Sequence, residues 1–136
     1  AQDPGAEVRE QACEMLVALA EEGWSSGDIA RSIVRRYLDE ADGEAADTII
    51  LGCTHFPLLR DVIAAEAAAD VAVVDSASTT AGVVRATLDE HGLRRAAGTP
   101  GRLRLLATDS ATRFARVGGQ FLGRNLSYED IEIVDL

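Results

Sequence analysis

The chain has 136 residues, enough for one domain or parts of two. Its 47% hydrophobic and 26% charged residues are ordinary for a globular chain, and aromatics are only 4%, so alanine, leucine, isoleucine and valine must fill the core. The net charge is -10 and every basic residue is an arginine, which argues against nucleic acid and anionic membrane surfaces as partners.

Asp3-Pro4-Gly5 is a turn signal. Val8, Ala12, Met15, Leu16 and Leu19 then recur at helical spacing, so the pattern predicts an amphipathic helix over residues 6–22, ended by Gly23. Cys13 falls in the middle of that helix and reads as a half-buried structural thiol. Ser25 with Asp28 approximates a capping box for a second helix. Its stripe is Ile29, Ile33, Tyr37 and Leu38, and it ends near Glu40. Asp42-Gly43-Glu44 is an exposed turn.

Residues 48–52 form a continuous apolar run, as in a parallel strand covered on both faces. Pro57 suits the first turn of a helix reaching to about residue 68. A second strand covers 71–74 and ends at Asp75-Ser76. Ser78 or Thr79 caps the next helix, whose stripe is Val83, Val84, Thr87 and Leu88, closed by Gly92. Residues 94–102 are the longest loop. A third strand is expected over 103–107. Ser110 caps a helix bearing Phe114, Val117, Phe121 and Leu122, stopped by Gly123. Residues 131–134 are a fourth strand.

Strands that alternate with helices define an α/β fold class, a mostly parallel sheet flanked by helices. Right-handed crossovers place the strand C-terminal ends on one edge, outside which ligands of such sheets bind. Three loops belong there: Cys53-Thr54-His55, Asp75-Ser76-Ala77-Ser78 and Thr108-Asp109-Ser110.

The two cysteines make no disulfide framework, and Cys13, Cys53, His55 and His91 have no familiar metal-site spacing. The first residues lack the basic and apolar regions of a signal peptide. No run approaches the roughly 20 apolar residues of a membrane span. The cytoplasm is the expected compartment. The absence of a starting methionine points to a processed or partial chain.

The chemistry concentrates in Ile50-Leu51-Gly52-Cys53-Thr54-His55-Phe56-Pro57-Leu58-Leu59. A helix opening near Pro57 would turn its free N–H groups and positive dipole end toward Cys53. That environment favours a thiolate and can receive a carboxylate. Thr54 adds a hydroxyl donor, and His55 can hold or pass a proton near neutral pH. Singly, each residue reads as structural. Together they make a base, a proton relay and an anion cradle. A nucleophilic cysteine hydrolase fits less well, because its histidine would come from a separate segment.

This string closely resembles the second-cysteine motif of the glutamate racemases, in the aspartate/glutamate racemase superfamily; Phe56 stands where that family often has tyrosine. Ala12-Cys13, Leu16-Val17 and Glu21-Glu22-Gly23-Trp24 are similar to the helix before the family's catalytic strand. Val74-Asp75-Ser76 and Thr80-Ala81 are similar to the family's next strand and helix. Thr108-Asp109, Arg113-Phe114, Phe121-Leu122-Gly123 and Val134-Asp135-Leu136 are similar to its C-terminus.

The resemblance implies an isomerase that interconverts L- and D-glutamate without a cofactor, supplying D-glutamate for peptidoglycan. One thiolate removes the Cα proton and a second thiol returns one on the opposite face. It implies that Cys53 is the second cysteine, that Thr54 and His55 bind substrate, and that His55 assists proton transfer at Cys53. The family's other wall, an Asp-Ser loop and a Cys-Asn-Thr motif, does not occur here in that context. The chain is therefore expected to be a C-terminal half, a partial two-domain racemase fold inactive without its N-terminal half. Residues 1–75 would be the remainder of the second domain and 76–136 the return segment that completes the first. The partners implied are glutamate and the missing half; a homodimer stays open. Two other readings are a non-catalytic amino-acid-binding or assembly module and another superfamily enzyme, such as an aspartate racemase or a decarboxylase.

Overall fold

In the computed structural model, which describes residues 5–41, 46–96, 98 and 100–135, regular elements begin at Glu14 rather than at residue 6. The reason is that Val8, the apolar residue among Glu7, Arg9, Glu10 and Gln11, is exposed, so a longer helix would bury nothing. Asp3-Pro4 and the Asp42-Gly43-Glu44 turn lie outside the described residues. The chain divides into two compact units, Ala1–Asp75 and Ser76–Leu136.

The first unit contains α1 (Glu14–Glu22), α2 (Gly27–Glu40), β1 (Thr48–Leu51), a 3₁₀ turn (Phe56–Leu59), α3 (Arg60–Glu66) and β2 (Ala72–Asp75). Cys13 is the N-cap of α1, not a mid-helix residue, and offers no side-chain cap. The Met15 N–H of that first turn instead donates to the Tyr37 hydroxyl, 3.2 Å away on α2. Gly23 closes α1 at φ 78°, with its own N–H on the Ala20 carbonyl and that of Trp24 on Leu19, a left-handed ending that suits glycine. The N-cap of α2 is Ser26, and no side-chain bond caps it, so the Ser25–Asp28 capping box does not form.

β1 and β2 pair in parallel, with Ile49 opposite Val73 and Leu51 opposite Asp75. Leu51 is buried among Leu16, Leu19, Ala30, Val34, Leu59, Val62 and Ile63, and Ile49 and Val73 pack against the same cluster. The alternate positions Ile50 and Val74 are exposed, Ile50 by 73%. Coverage of both strand faces, expected from the continuous apolar run, is therefore not found: the helices of this unit serve one face. Arg31 and Arg35 on α2 hold Glu66 at the end of α3, at 2.6 Å and 3.0 Å.

The second unit contains α4 (Ser76–Glu90), β3 (Leu105–Ala107), α5 (Ala111–Leu122), a 3₁₀ turn (Tyr128–Asp130) and β4 (Ile131–Ile133). α4 starts directly after β2, so Ser78 and Thr79 lie inside its first turn instead of capping it. It buries no residue, and Val83, Val84 and Leu88 are exposed. β3 and β4 pair in parallel from Leu105 opposite Ile131 to Ala107 opposite Ile133, giving a second two-stranded sheet. Ser110 is the N-cap of α5 at φ 44° and makes no side-chain cap bond. Ser127 does cap its turn, accepting from Glu129 N–H while Asp130 accepts from Ser127 N–H. Two parallel strand pairs with helices make an α/β architecture. Among the described residues no helix is long and apolar enough to cross a membrane.

Candidate active site

The C-terminal edge of β1–β2 is where this unit changes from buried backbone to chemistry. Leu51 is the last strand residue, and Gly52 leads the chain out of the sheet. The Phe56 N–H donates to the Cys53 carbonyl at 3.2 Å, closing a turn over Cys53, Thr54 and His55. The Leu58 N–H donates to the His55 carbonyl at 3.1 Å. The segment after His55 is a 3₁₀ turn rather than the first turn of an α-helix. The Phe56 and Leu58 N–H groups at this turn are thus engaged by backbone carbonyls, and no α-helical first turn opens at Pro57.

Cys53 and His55 are half-buried and Thr54 is exposed. The Cys53 Sγ lies 3.8 Å from His55 Nδ1, within reach of a hydrogen bond to sulfur. On the other side of the ring, His55 Nε2 lies 3.5 Å from Glu21 Oε1. Glu21 comes from the last turn of α1, which packs against the 3₁₀ turn. A proton on Nε2 faces the carboxylate, and that tautomer leaves the Nδ1 lone pair toward the sulfur. The result is a line of carboxylate, imidazole and thiol through which a proton can pass to or from Cys53.

Of the stretch 53–55, the Cys53 sulfur and the His55 ring come together, while Thr54 is exposed. Glu21 is the site residue that sequence reasoning did not single out. It sits 34 positions upstream, and its only local signal is an acidic residue at the end of a helix, where the dipole disfavours it. Cys13 is held apart from this line: its thiol approaches the Gln11 carbonyl at 3.5 Å, and burial, then the Glu40 charge, push its pKa up. Asp75 ends β2 at the same edge and is buried, with its Oδ2 3.3 Å from Arg60 Nε. The third expected loop, Thr108-Asp109-Ser110, follows β3 in the second unit. Among the described residues no three His, Cys, Asp or Glu side chains gather as a metal-holding group.

Comparison with known proteins bears on this geometry. Residues 5–86 match the family described as Asp/Glu/Hydantoin racemase. A curated glutamate racemase from Neisseria meningitidis serogroup A is 41% identical over 134 residues, which are 98% of this chain and 48% of that protein. One from Geobacter metallireducens is 40% identical over 124 residues, 91% of this chain and 46% of that protein. The chain thus spans about half the length of the curated relatives it matches. Among solved structures, glutamate racemase from Francisella tularensis in complex with D-glutamate superimposes with a TM-score of 0.77 at 29% identity, covering 98% of this chain and 49% of that one. A glutamate racemase isoform from Bacillus anthracis gives 0.78 at 30% identity, with the same coverage.

Proposed function

Because the chain belongs to the Asp/Glu/hydantoin racemase family, we propose that it is the C-terminal half of a cofactor-independent glutamate racemase and carries one of two opposed proton-transfer groups. The observation that carries this reading is the Glu21–His55–Cys53 line at the C-terminal edge of a parallel strand pair. Inverting Cα requires a base on one face and an acid on the other, or one group that reaches both. Cys53 serves one face: as a thiolate it takes the Cα proton, or as a thiol it gives one. His55 holds or passes the proton at the sulfur, and Thr54 offers its hydroxyl to a substrate carboxylate.

In the two-cysteine reading, the opposite face is served by a second thiol. Cys13 is unsuited, since burial disfavours its thiolate. The second group then belongs to the N-terminal half, which would also complete the two domains that Ala1–Asp75 and Ser76–Leu136 begin. Glutamate is the proposed substrate, because the relatives that match along the chain are glutamate racemases and one is solved with D-glutamate. The product D-glutamate would serve cell-wall peptidoglycan, made in a cytoplasm that keeps both cysteines reduced.

The test mixes or co-expresses this chain with the N-terminal half of the Neisseria relative. Coupled racemisation of both glutamate enantiomers is read alongside exchange of the Cα proton in heavy water. Activity that needs both halves and is lost in Cys53→Ser is expected. Robust activity from this chain alone would overturn the half-site reading, and no exchange under any pairing would overturn the racemase reading.

A further inference from the structure

One ionisable side chain is buried at the site's edge without a part in proton transfer. Asp75 is 2% exposed. It stands opposite Leu51 in the parallel register, so it borders the point where β1 releases the segment 52–55. Its Oδ2 lies 3.3 Å from Nε of Arg60, the first residue of α3. The Arg60 Nη2 also donates to the Val73 carbonyl at 3.1 Å. Arg60 directly follows Leu59, whose side chain is fully buried in the core. The loop bearing Cys53, Thr54 and His55 thus leaves the sheet beside Asp75 and, through the 3₁₀ turn Phe56–Leu59, enters α3 at a residue tied back to Asp75.

We propose that Asp75 and Arg60 form a positioning pair that clamps both ends of the 52–59 segment and thereby sets the Cys53–His55 geometry. A buried carboxylate is costly unless a cation or hydrogen bonds compensate it. Placing that cost where the catalytic loop is anchored is how a fold fixes a reactive group to within a fraction of an ångström. Arg60 is half exposed, so it can be altered without opening the core. The proposal rests on the racemase reading for its catalytic consequence, but not for its geometric one.

The experiment compares Arg60→Ala, Arg60→Lys and Asp75→Asn. Folding is followed by fluorescence of Trp24, the one tryptophan in the chain, which lies in the same unit. Cys53 alkylation by iodoacetamide is measured by peptide mass spectrometry, with Cys13 as the internal reference. Racemisation is measured in the protein completed by its N-terminal half. In folded Arg60→Ala, the Cys53-to-Cys13 rate ratio should change by about threefold or more, and kcat should fall about tenfold or more while KM stays within about twofold. Arg60→Lys should recover most of both. An unchanged ratio and kcat in folded Arg60→Ala would overturn the pair's role, as would a loss that tracks the unfolding midpoint and is not restored by lysine. If the completed wild-type protein does not racemise, the functional reading fails while the alkylation ratio still decides the clamp. Should Asp75→Asn not fold, the two Arg60 variants carry the test.

Discussion

Glu21 faces His55 across helix and loop, with Oε1 3.5 Å from Nε2, while the far nitrogen of the same ring lies 3.8 Å from Cys53 Sγ. A carboxylate in that position favours the tautomer with the proton on Nε2. His55→Ala should therefore cut kcat of the completed enzyme by about 10²–10⁴, the range for a lost proton-transfer group. Glu21→Gln keeps the shape but not the charge, and should cost about tenfold, or ~1.4 kcal/mol of transition-state stabilisation. Steady-state racemisation in both directions measures both. Equal losses in the two variants would mean that His55 works only with the Glu21 charge in place, as one unit.

Cys53→Ser should separate racemisation from exchange. Racemisation stops in both directions, because one face of Cα has lost its group. The enantiomer whose proton faces Cys53 should also stop exchanging with heavy water. The opposite enantiomer should continue, since its own thiol can remove a proton and return a deuteron on the same side. Proton NMR of each enantiomer in heavy water reads this asymmetry. Symmetric loss of exchange would place Cys53 in substrate binding rather than proton transfer.

How much of this could be seen in the residue string depended on distance along the chain. Cys53, Thr54 and His55 are consecutive, so their meeting at a strand end followed from a local pattern. Glu21 was invisible as a partner, because the α1–turn packing that delivers it is a long-range contact. The run at 48–52 is strand through Leu51, yet its apolar character could not say what covers Ile50, and the helices of its own unit do not. The helix over 6–22 was overextended because Val8 and Ala12 matched the period while the charged residues between them left no face worth burying. The Ser25–Asp28 pattern failed for a different reason: the chain enters α2 one residue later, at Ser26.

Glu66 gives the first unit an acid-sensitive contact. Hydrogen bonds from Arg31 and then Arg35 hold its carboxyl below the usual carboxylate range. A depressed folded pKa contributes stability that is present above the unfolded value of about 4.3 and is lost as pH falls through the folded value. The Trp24 unfolding midpoint should therefore fall more steeply on acidification in the wild type than in Glu66→Gln. The gap between the two should be widest near neutrality and close as pH falls through the folded value. Half-exposed arginines also make the gap shrink at high salt.

Leu59 reports on the core that holds the turn following Cys53 and His55. It is fully buried at the end of the 3₁₀ turn and joins the cluster of α1, α2, β1 and α3. Leu59→Ala removes apolar contact and leaves a cavity, costing about 2–5 kcal/mol. Urea unfolding followed by Trp24 fluorescence should show the shift. A cost well under about 1 kcal/mol would mean that the turn collapses onto the space instead of being held open by its neighbours.

Adjacent glycines near the end of α5 should respond in opposite ways. A Cβ on Gly118 would sit 3.5 Å from the side chains of Leu126 and Phe114, an ordinary contact. A Cβ on Gly119 would meet the Arg124 backbone oxygen at 2.9 Å. That oxygen is backbone, so relieving the contact means shifting the chain after α5 rather than turning a side chain. Gly118→Ala should be neutral or stabilising by up to about 1 kcal/mol through helix propensity. Gly119→Ala should destabilise by about 1–3 kcal/mol, since the close approach outweighs the same propensity gain. Circular dichroism melts of the two variants supply the comparison. Equal effects would mean that the segment after α5 approaches the helix less closely than the 2.9 Å contact requires.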